Sequence, residues 1–338
     1  MTQHGLRPLL TASALLLALS ACRDDPSPQP VSRASHATVA EPREIELGYS
    51  ALRISLPIFV AQEKGFFVAR GLRVTLKRFD TAQPLVDEVL DGRIAAGGYA
   101  AFPIILNAAS RDGSSMRVAT SMLEDEAHPV SRLLVKRGSS IRTIADLRGK
   151  RIGRLPTVAY QHWIELVLRH AGVDPASVTL VALPPNQEVA ALAESGIDAL
   201  FTGDPMATAA IASDVADILD PAPVPTALVS QVRFGTFMFS NRFAEANPAE
   251  AQQLLAALDD AIALIHADPI AARSCLTPYV REYERAFVAR YPDSLYVPSS
   301  IFADRDLADE VVHEHTLGIL DTPPNTQGWV LLRAPGHD

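Results

Sequence analysis

The sequence predicts an α/β protein of two lobes, each a mostly parallel sheet flanked by helices. Three observations carry this: strand and helix patterns alternate from residue 44 onward, the same grammar repeats after residue 131, and glycines punctuate the units. The chain has 338 residues, 48% of them hydrophobic and 20% charged, enough for two modest domains and unlike a disordered or fibrous chain. Its 30 Lys and Arg against 39 Asp and Glu give −9, the wrong sign for a binder of phosphate backbones. No nucleic-acid partner is expected.

Glu44 to Tyr49 alternates as a strand, and Ile58 to Ala69 reads as a helix carrying Phe59, Val60, Phe66 and Phe67, closed by Gly71. Leu72 to Phe79 alternates again, Gln83 to Asp91 is a helix ending at Gly92, and Ile94 to Tyr99 is a third strand. Later come a strand at Ser131 to Lys136, a helical turn at Thr143 to Leu147, a strand from Arg151, and a helix from Val158 to Ala171 stopped by Gly172. Val178 to Leu183 and Ala199 to Thr202 are strands around a helix at Asn186 to Ser195, and Phe234 to Ser240 is extended. Asn247 should cap a long helix to Ala267, with Pro248 in its first turn and Leu254, Leu255, Leu258, Ile262 and Ile265 as its buried stripe.

Before the first strand, Arg7 precedes an apolar run from Leu9 to Leu19, too short to span a bilayer, which needs about 20 residues. Residues 1–21 are expected to be a signal peptide. The sequence Leu19-Ser20-Ala21-Cys22 resembles a bacterial lipobox, which implies lipidation of Cys22 and a lipid-anchored place in the cell envelope, on the periplasmic side in a Gram-negative host. Residues 22–43, with Pro26, Pro28, Pro30 and Pro42, read as a tether. Cys275 is then left without a disulfide partner and is expected to be a buried structural thiol.

Tyr49 to Gly71 (YSALRISLPIFVAQEKGFFVARG), Asp91 to Gly98 (DGRIAAGG), Ile144 to Ile152 (IADLRGKRI), Gly196-Ile197-Asp198-Ala199 and the helix from Asn247 together resemble the substrate-binding proteins of bacterial ABC importers. The branch they are most similar to is the nitrate, sulfonate, taurine and thiamine-pyrimidine (NMT1/THI5-like) group. The resemblance implies a periplasmic-binding-protein clamshell of type II, with lobe I at 44–132 plus 236–338, lobe II at 133–235, and crossover strands near 131–137 and 233–240. It implies transport of a small organic or oxyanionic ligand, handed to a membrane permease with its ATPase by a monomer.

Ligand contacts are expected in loops that follow strands. These give Tyr49, Ser50, Ser55, Leu56 and Pro57; Tyr99, Ala100 and Phe102; Arg154, Thr157 and Tyr160; and Asp204 and Pro205. Arg53 and Arg154 suit an oxyanion, whereas Tyr49, Tyr99, Phe102, Tyr160 and Asp204 suit an aromatic ligand, and Arg53 reads equally well as a solvated charge. Leu155-Pro156-Thr157 stands where an oxyanion nest would be Gly- and Ser-rich, which favours a small organic ligand with an aromatic or carboxylate part.

A lipid-anchored sensor using the same clamshell is the alternative, and an enzyme of the pyrimidine-synthase type is the less favoured one. The Cys- and His-rich iron segment of such synthases is missing, as are Gly-x-Ser-x-Gly, Gly-x-x-x-x-Gly-Lys and His-Glu-x-x-His motifs. His313 and His315 are two residues apart, on different faces of a helix, and His162 and His170 read as helix-surface residues. No catalytic residue, metal or cofactor is expected.

Overall fold

The computed structural model describes residues 44–112, 116–228, 230–301 and 304–331. The expected signal peptide, Cys22 and the tether lie outside these residues. In chain order the elements are β1 (Glu44–Ser50), α1 (Leu56–Glu63), α2 (Phe66–Ala69), β2 (Arg73–Phe79), α3 (Ala82–Leu90), β3 (Ala96–Ala101), α4 (Phe102–Asp112) and β4 (Arg117–Glu124). Next are β5 (Ser131–Lys136), β6 (Arg151–Arg154), α5 (Val158–His170), β7 (Thr179–Ala182), α6 (Pro185–Ala193), β8 (Ala199–Gly203), α7 (Met206–Ala212), β9 (Ala216–Asp220) and α8 (Pro223–Ala227). The chain continues through β10 (Val232–Phe239), α9 (Asn241–Ala246), α10 (Pro248–Ala267), α11 (Pro269–Ser274), β11 (Leu295–Val297) and α12 (Asp304–Thr316).

The strands form two sheets, ordered β11-β4-β10-β3-β1-β2 and β7-β6-β8-β5-β9, so the molecule is a two-lobed α/β clamshell. The βα units read from the sequence supply the parallel portions, β3-β1-β2 and β7-β6-β8. Antiparallel strands complete each sheet and make both of them mixed: β10, β4 and β11 in the first, β5 and β9 in the second. The sequence places the lobe divisions at 132/133 and 235/236; in the fold β5 lies whole in the second sheet and β10 whole in the first. The chain therefore passes between sheets along 125–130 and 221–231.

Local chemistry explains the elements. The stretch expected as one helix over 58–69 divides at Gly65, whose φ of +72° is a left-handed helix-stop conformation. Leu56 through Ala61 are all buried, so α1 is a core helix, packed against α10. The expected stripe of α10 is buried, with Leu254, Leu255, Leu258, Ile262 and Ile265 at most 2% exposed, each such side chain contributing about 1.5–3 kcal/mol. Asn247 does sit at the cap position of α10, yet its side chain makes no cap bond there; Nδ2 donates instead to the Phe243 carbonyl at 3.1 Å. Thr157 does cap α5, its Oγ1 accepting from the Tyr160 amide at 3.3 Å.

The C-terminal tail is pinned to lobe I. Trp329 is buried, and the Val118 amide and carbonyl bond the Trp329 carbonyl and the Leu331 amide at 2.7 and 2.8 Å. Cys275 is buried and free, as expected, and burial raises its thiol pKa. Among the described residues no helix is long and apolar enough to cross a membrane.

Gly98 marks where β3 is pressed against β10. Its φ is +141°, and a Cβ there would meet the Thr236 carbonyl oxygen at 2.9 Å and the Phe237 Cα at 3.0 Å, both backbone atoms. Gly98→Ala is expected to destabilise the protein by about 1–3 kcal/mol or more, read as a lower denaturation midpoint. Gly138→Ala, with open space around its Cβ, meets no such clash and should cost only its left-handed φ of +70°, about 1 kcal/mol.

Candidate functional site

The carboxyl ends of the parallel strands of both sheets face one cleft of about 110 Å³. Its wall combines Ser50, Leu52, Arg53 and Ile54 after β1, Thr81 and Ala82 after β2, and Tyr99, Ala101 and Ile104 around the end of β3. The second lobe adds Leu155, Pro156, Thr157 and Tyr160 after β6, Pro185 after β7, and Gly203, Asp204 and Met206 after β8. Phe234 of β10 and Val130 of the first passage complete the wall, which is mostly apolar. This is where ligands sit in open α/β sheets, because loops and helix starts converge at the strand ends.

Arg53 organises the floor. It is 2% exposed, so the solvated reading of this arginine does not hold. Its Nη1 donates to the carbonyls of Pro292 and Asp293 at 3.0 and 3.3 Å and to Ser294 Oγ at 3.0 Å; its Nη2 donates to the Pro129 carbonyl at 2.7 Å. Across the cleft, Asp204 Oδ2 of the second lobe lies 3.6 Å from Nη2, both side chains 2% exposed. Asp204 is held in turn by the Thr208 amide and hydroxyl, which donate to Oδ1 at 3.0 and 2.5 Å. The Tyr296 hydroxyl donates to the Arg53 and Ile54 carbonyls at 3.0 and 3.2 Å, fixing the loop that carries Arg53.

An aromatic wall joins the two sheets. Phe234 packs on Trp163 with ring centroids 4.9 Å apart and on Tyr160 at 6.3 Å, and Tyr160 contacts Phe201 at 5.2 Å. Burial raises the Tyr160 pKa well above its ordinary value, and the carboxylates of Glu124, Glu188 and Asp204 add to the rise. Glu124 is wholly buried behind Val130; its Oε1 accepts from the Val130 and Ser131 amides and the Ser131 hydroxyl at 3.0, 2.7 and 2.7 Å. Burial pushes Glu124 up to about 7, against those hydrogen bonds and the pull of Arg53. Glu188, bonded by Thr202 Oγ1 at 2.5 Å, is pushed up by burial to about 8.

Of the residues expected from the sequence, the fold brings Ser50, Tyr99, Thr157, Tyr160 and Asp204 together at the cleft. Tyr49 packs instead against Phe59 and Tyr279. Ser55 is buried behind Ser50 and donates to the Gly98 carbonyl at 3.2 Å; Leu56, Pro57, Ala100 and Phe102 are buried in lobe I. Arg154 turns onto its own loop, donating to the Leu155 carbonyl at 2.8 Å and Gln161 Oε1 at 2.8 Å, and Pro205 caps α7 beside a separate pocket. Leu52, Ile54, Met206 and Phe234 at the cleft were not expected; their positions at strand ends and in the passing strand are the signal that would have found them.

Fold and cleft together define a two-lobed binding-protein architecture. The profile described as NMT1/THI5 like matches residues 54–272, and the chain belongs to that family. It is 27% identical over 191 residues to the nitrate import ATP-binding protein NrtC of Synechocystis sp., covering 52% of this chain and 28% of that protein. It is also 27% identical over 155 residues to the taurine-binding periplasmic protein of Escherichia coli, covering 45% of this chain and 46% of that one. The chain thus spans less than half the length of either relative. The crystal structure of the periplasmic aliphatic sulphonate binding protein SsuA from Escherichia coli shares the fold, with a TM-score of 0.67, 18% identity, and coverage of 85% of this chain and 96% of that one.

The raised carboxyls set a pH dependence. Glu124, Glu188 and Glu314 are pushed by burial from about 4.5 to about 7, 8 and 8, so the folded state holds their protons more tightly than the unfolded one. The stability these three groups contribute is fully present below about pH 4.5 and is lost as pH rises through 7 to 8. Thermal midpoints should drop between about pH 4.5 and 8, the window these groups span, and Glu188→Gln should flatten that slope. A slope unchanged by this substitution would mean that Glu188 is not protonated in the fold.

Proposed function

We propose that this protein is a solute-binding component of an ABC-type importer, which captures a small ligand between its lobes and delivers it to a membrane permease served by an ATPase. The observation that carries this is the cleft lined by the strand ends of both sheets. Lobe I comprises the first sheet with its helices, including the tail, and lobe II the second, with the divisions in 125–130 and 221–231. Ser50, Tyr99, Thr157, Tyr160 and Asp204 contact the ligand, together with Leu52, Ile54, Met206 and Phe234.

A ligand touching both lobes stabilises the closed form by its differential contacts with the two, and the closed form is what a permease would read. The names of the relatives, in nitrate import, taurine binding and sulphonate binding, support transport over catalysis. The signal-like run and lipobox-like Cys22 support a place in the cell envelope, anchored by lipid and on the periplasmic side in a Gram-negative host.

The test is thermal melting of the purified full chain against nitrate, bicarbonate, taurine, alkanesulfonates, aromatic carboxylates, and thiamine with its pyrimidine precursors. A ligand bound only by the folded state raises the midpoint by mass action, about 2.7 kcal/mol at a hundredfold excess over Kd. Met206→Trp, which places an indole in the cleft from a position 3% exposed, should abolish the shift. A shift that survives in Met206→Trp would contradict binding between the lobes.

A further inference from the structure

A second cavity, of about 530 Å³, lies in lobe I and, among the described residues, shares no lining residue with the cleft. Leu123 of β4, Val232 of β10 and Val297 of β11 give it an apolar wall. Helix α12 brings Glu310, His313 and Glu314 to it, and β10 brings Arg233. Gln231, at the end of the second passage between the sheets, reaches it as well, so the cavity sits where that passage enters lobe I.

Two carboxyls share one arginine here. Glu310 and Glu314 are four residues apart on α12 and therefore lie on one face of it. Arg233 serves the first, its Nε donating to Glu310 Oε2 while its Nη1 donates to Ser121 Oγ at 2.8 Å. Glu314 is 4% exposed, and its Oε2 has no hydrogen-bond partner among the described residues. A buried carboxyl oxygen in that state has given up water and gained nothing in exchange. Burial, with Glu310 beside it, pushes the Glu314 carboxyl up to about 8, so near neutral pH it keeps its proton in place of a counter-charge. At the rim of the same cavity Ile301 is 66% exposed and adds apolar surface.

We infer that this cavity is a second binding site, which takes a small organic cation: an ammonium or amidinium seated on Glu314, with its apolar body against Leu123, Val232 and Val297. The visiting cation supplies the charge that this face of α12 lacks, and its N–H groups donate to the carboxyl. As it enters, its charge favours the ionised form of Glu314, and the carboxyl proton leaves to solvent. A carboxylate ligand would instead meet Glu310 and Glu314, and a neutral apolar one would leave Glu314 as it stands. The site is independent of what the interlobe cleft binds.

The experiment uses the full chain and three probes of one shape at constant ionic strength: cyclohexylammonium, cyclohexanol and cyclohexanecarboxylate. Each is titrated calorimetrically at pH 7 in two buffers of different ionisation enthalpy. Cyclohexylammonium should bind roughly fivefold or more tightly than the other two and release about one proton, read as an enthalpy that depends on the buffer. Glu314→Gln, which leaves Arg233, Glu310 and His313 as the charged and titratable groups of the wall, should weaken it by roughly fivefold or more and remove most of the proton release. Should that variant fold poorly, Ile301→Lys changes only an exposed rim position and should weaken cyclohexylammonium by about threefold, through like-charge repulsion. Binding should persist in Met206→Trp, which fills the interlobe cleft. Equal binding of cyclohexanol or cyclohexanecarboxylate, or binding of the cation without proton release, would overturn the ligand class. Binding lost in Met206→Trp, binding unchanged by the substitutions at Glu314 and Ile301, or no binding of cyclohexylammonium would overturn the site.

Discussion

A buried guanidinium must be surrounded by acceptors, and satisfying Arg53 ties together parts of the chain that are far apart in sequence. Its partners are Pro129 in the first passage between sheets, Pro292 to Ser294 ahead of β11, and Asp204 after β8. Leaving such a charge unpaired costs several kcal/mol, so the loop after β1, the passage and the β8 loop take up their positions together. The cleft geometry follows from this, its lining drawing Ser50, Arg53 and Ile54 from the loop after β1 and Asp204 and Met206 from the loop after β8.

The regular units of the fold were legible because each has one periodicity and most helices end at a glycine, while α10 is announced by its stripe and by Pro248 in its first turn. The strands missed by pattern are those whose environment hides it. In β4 both faces are buried and Thr120, Ser121 and Glu124 interrupt the apolar pattern, while β9 is five residues long with Asp217 and Asp220 inside it. The hydroxyls in β4 make sense only in three dimensions: Thr120 bonds the Tyr99 hydroxyl at 2.6 Å and Ser121 bonds Thr236 at 2.9 Å. A short Ala-rich α7 likewise has no amphipathic stripe to announce it.

The site was legible as a set of loops and less so residue by residue. Ser50, Tyr99, Thr157, Tyr160 and Asp204 could be anticipated because they follow strands. Arg53 could not be assigned, since an arginine in a polar loop usually stays in water and its acceptors lie 76 to 241 residues away. Tyr49 and Phe102 have the right chemistry and the wrong direction, as alternation along β1 and the start of α4 turn them into the core of lobe I.

The central claim is that Arg53 and Asp204 couple the two lobes across the cleft. A double-mutant cycle on the full chain, with Arg53→Met, Asp204→Asn and the pair, measured by denaturant unfolding, tests it directly. Each single substitution should cost about 3–5 kcal/mol, and the pair should fall short of their sum by about 1.5 kcal/mol or more. Additivity within about 0.3–0.5 kcal/mol would contradict the account, because it would mean that the two charges stand beside each other without holding the lobes together.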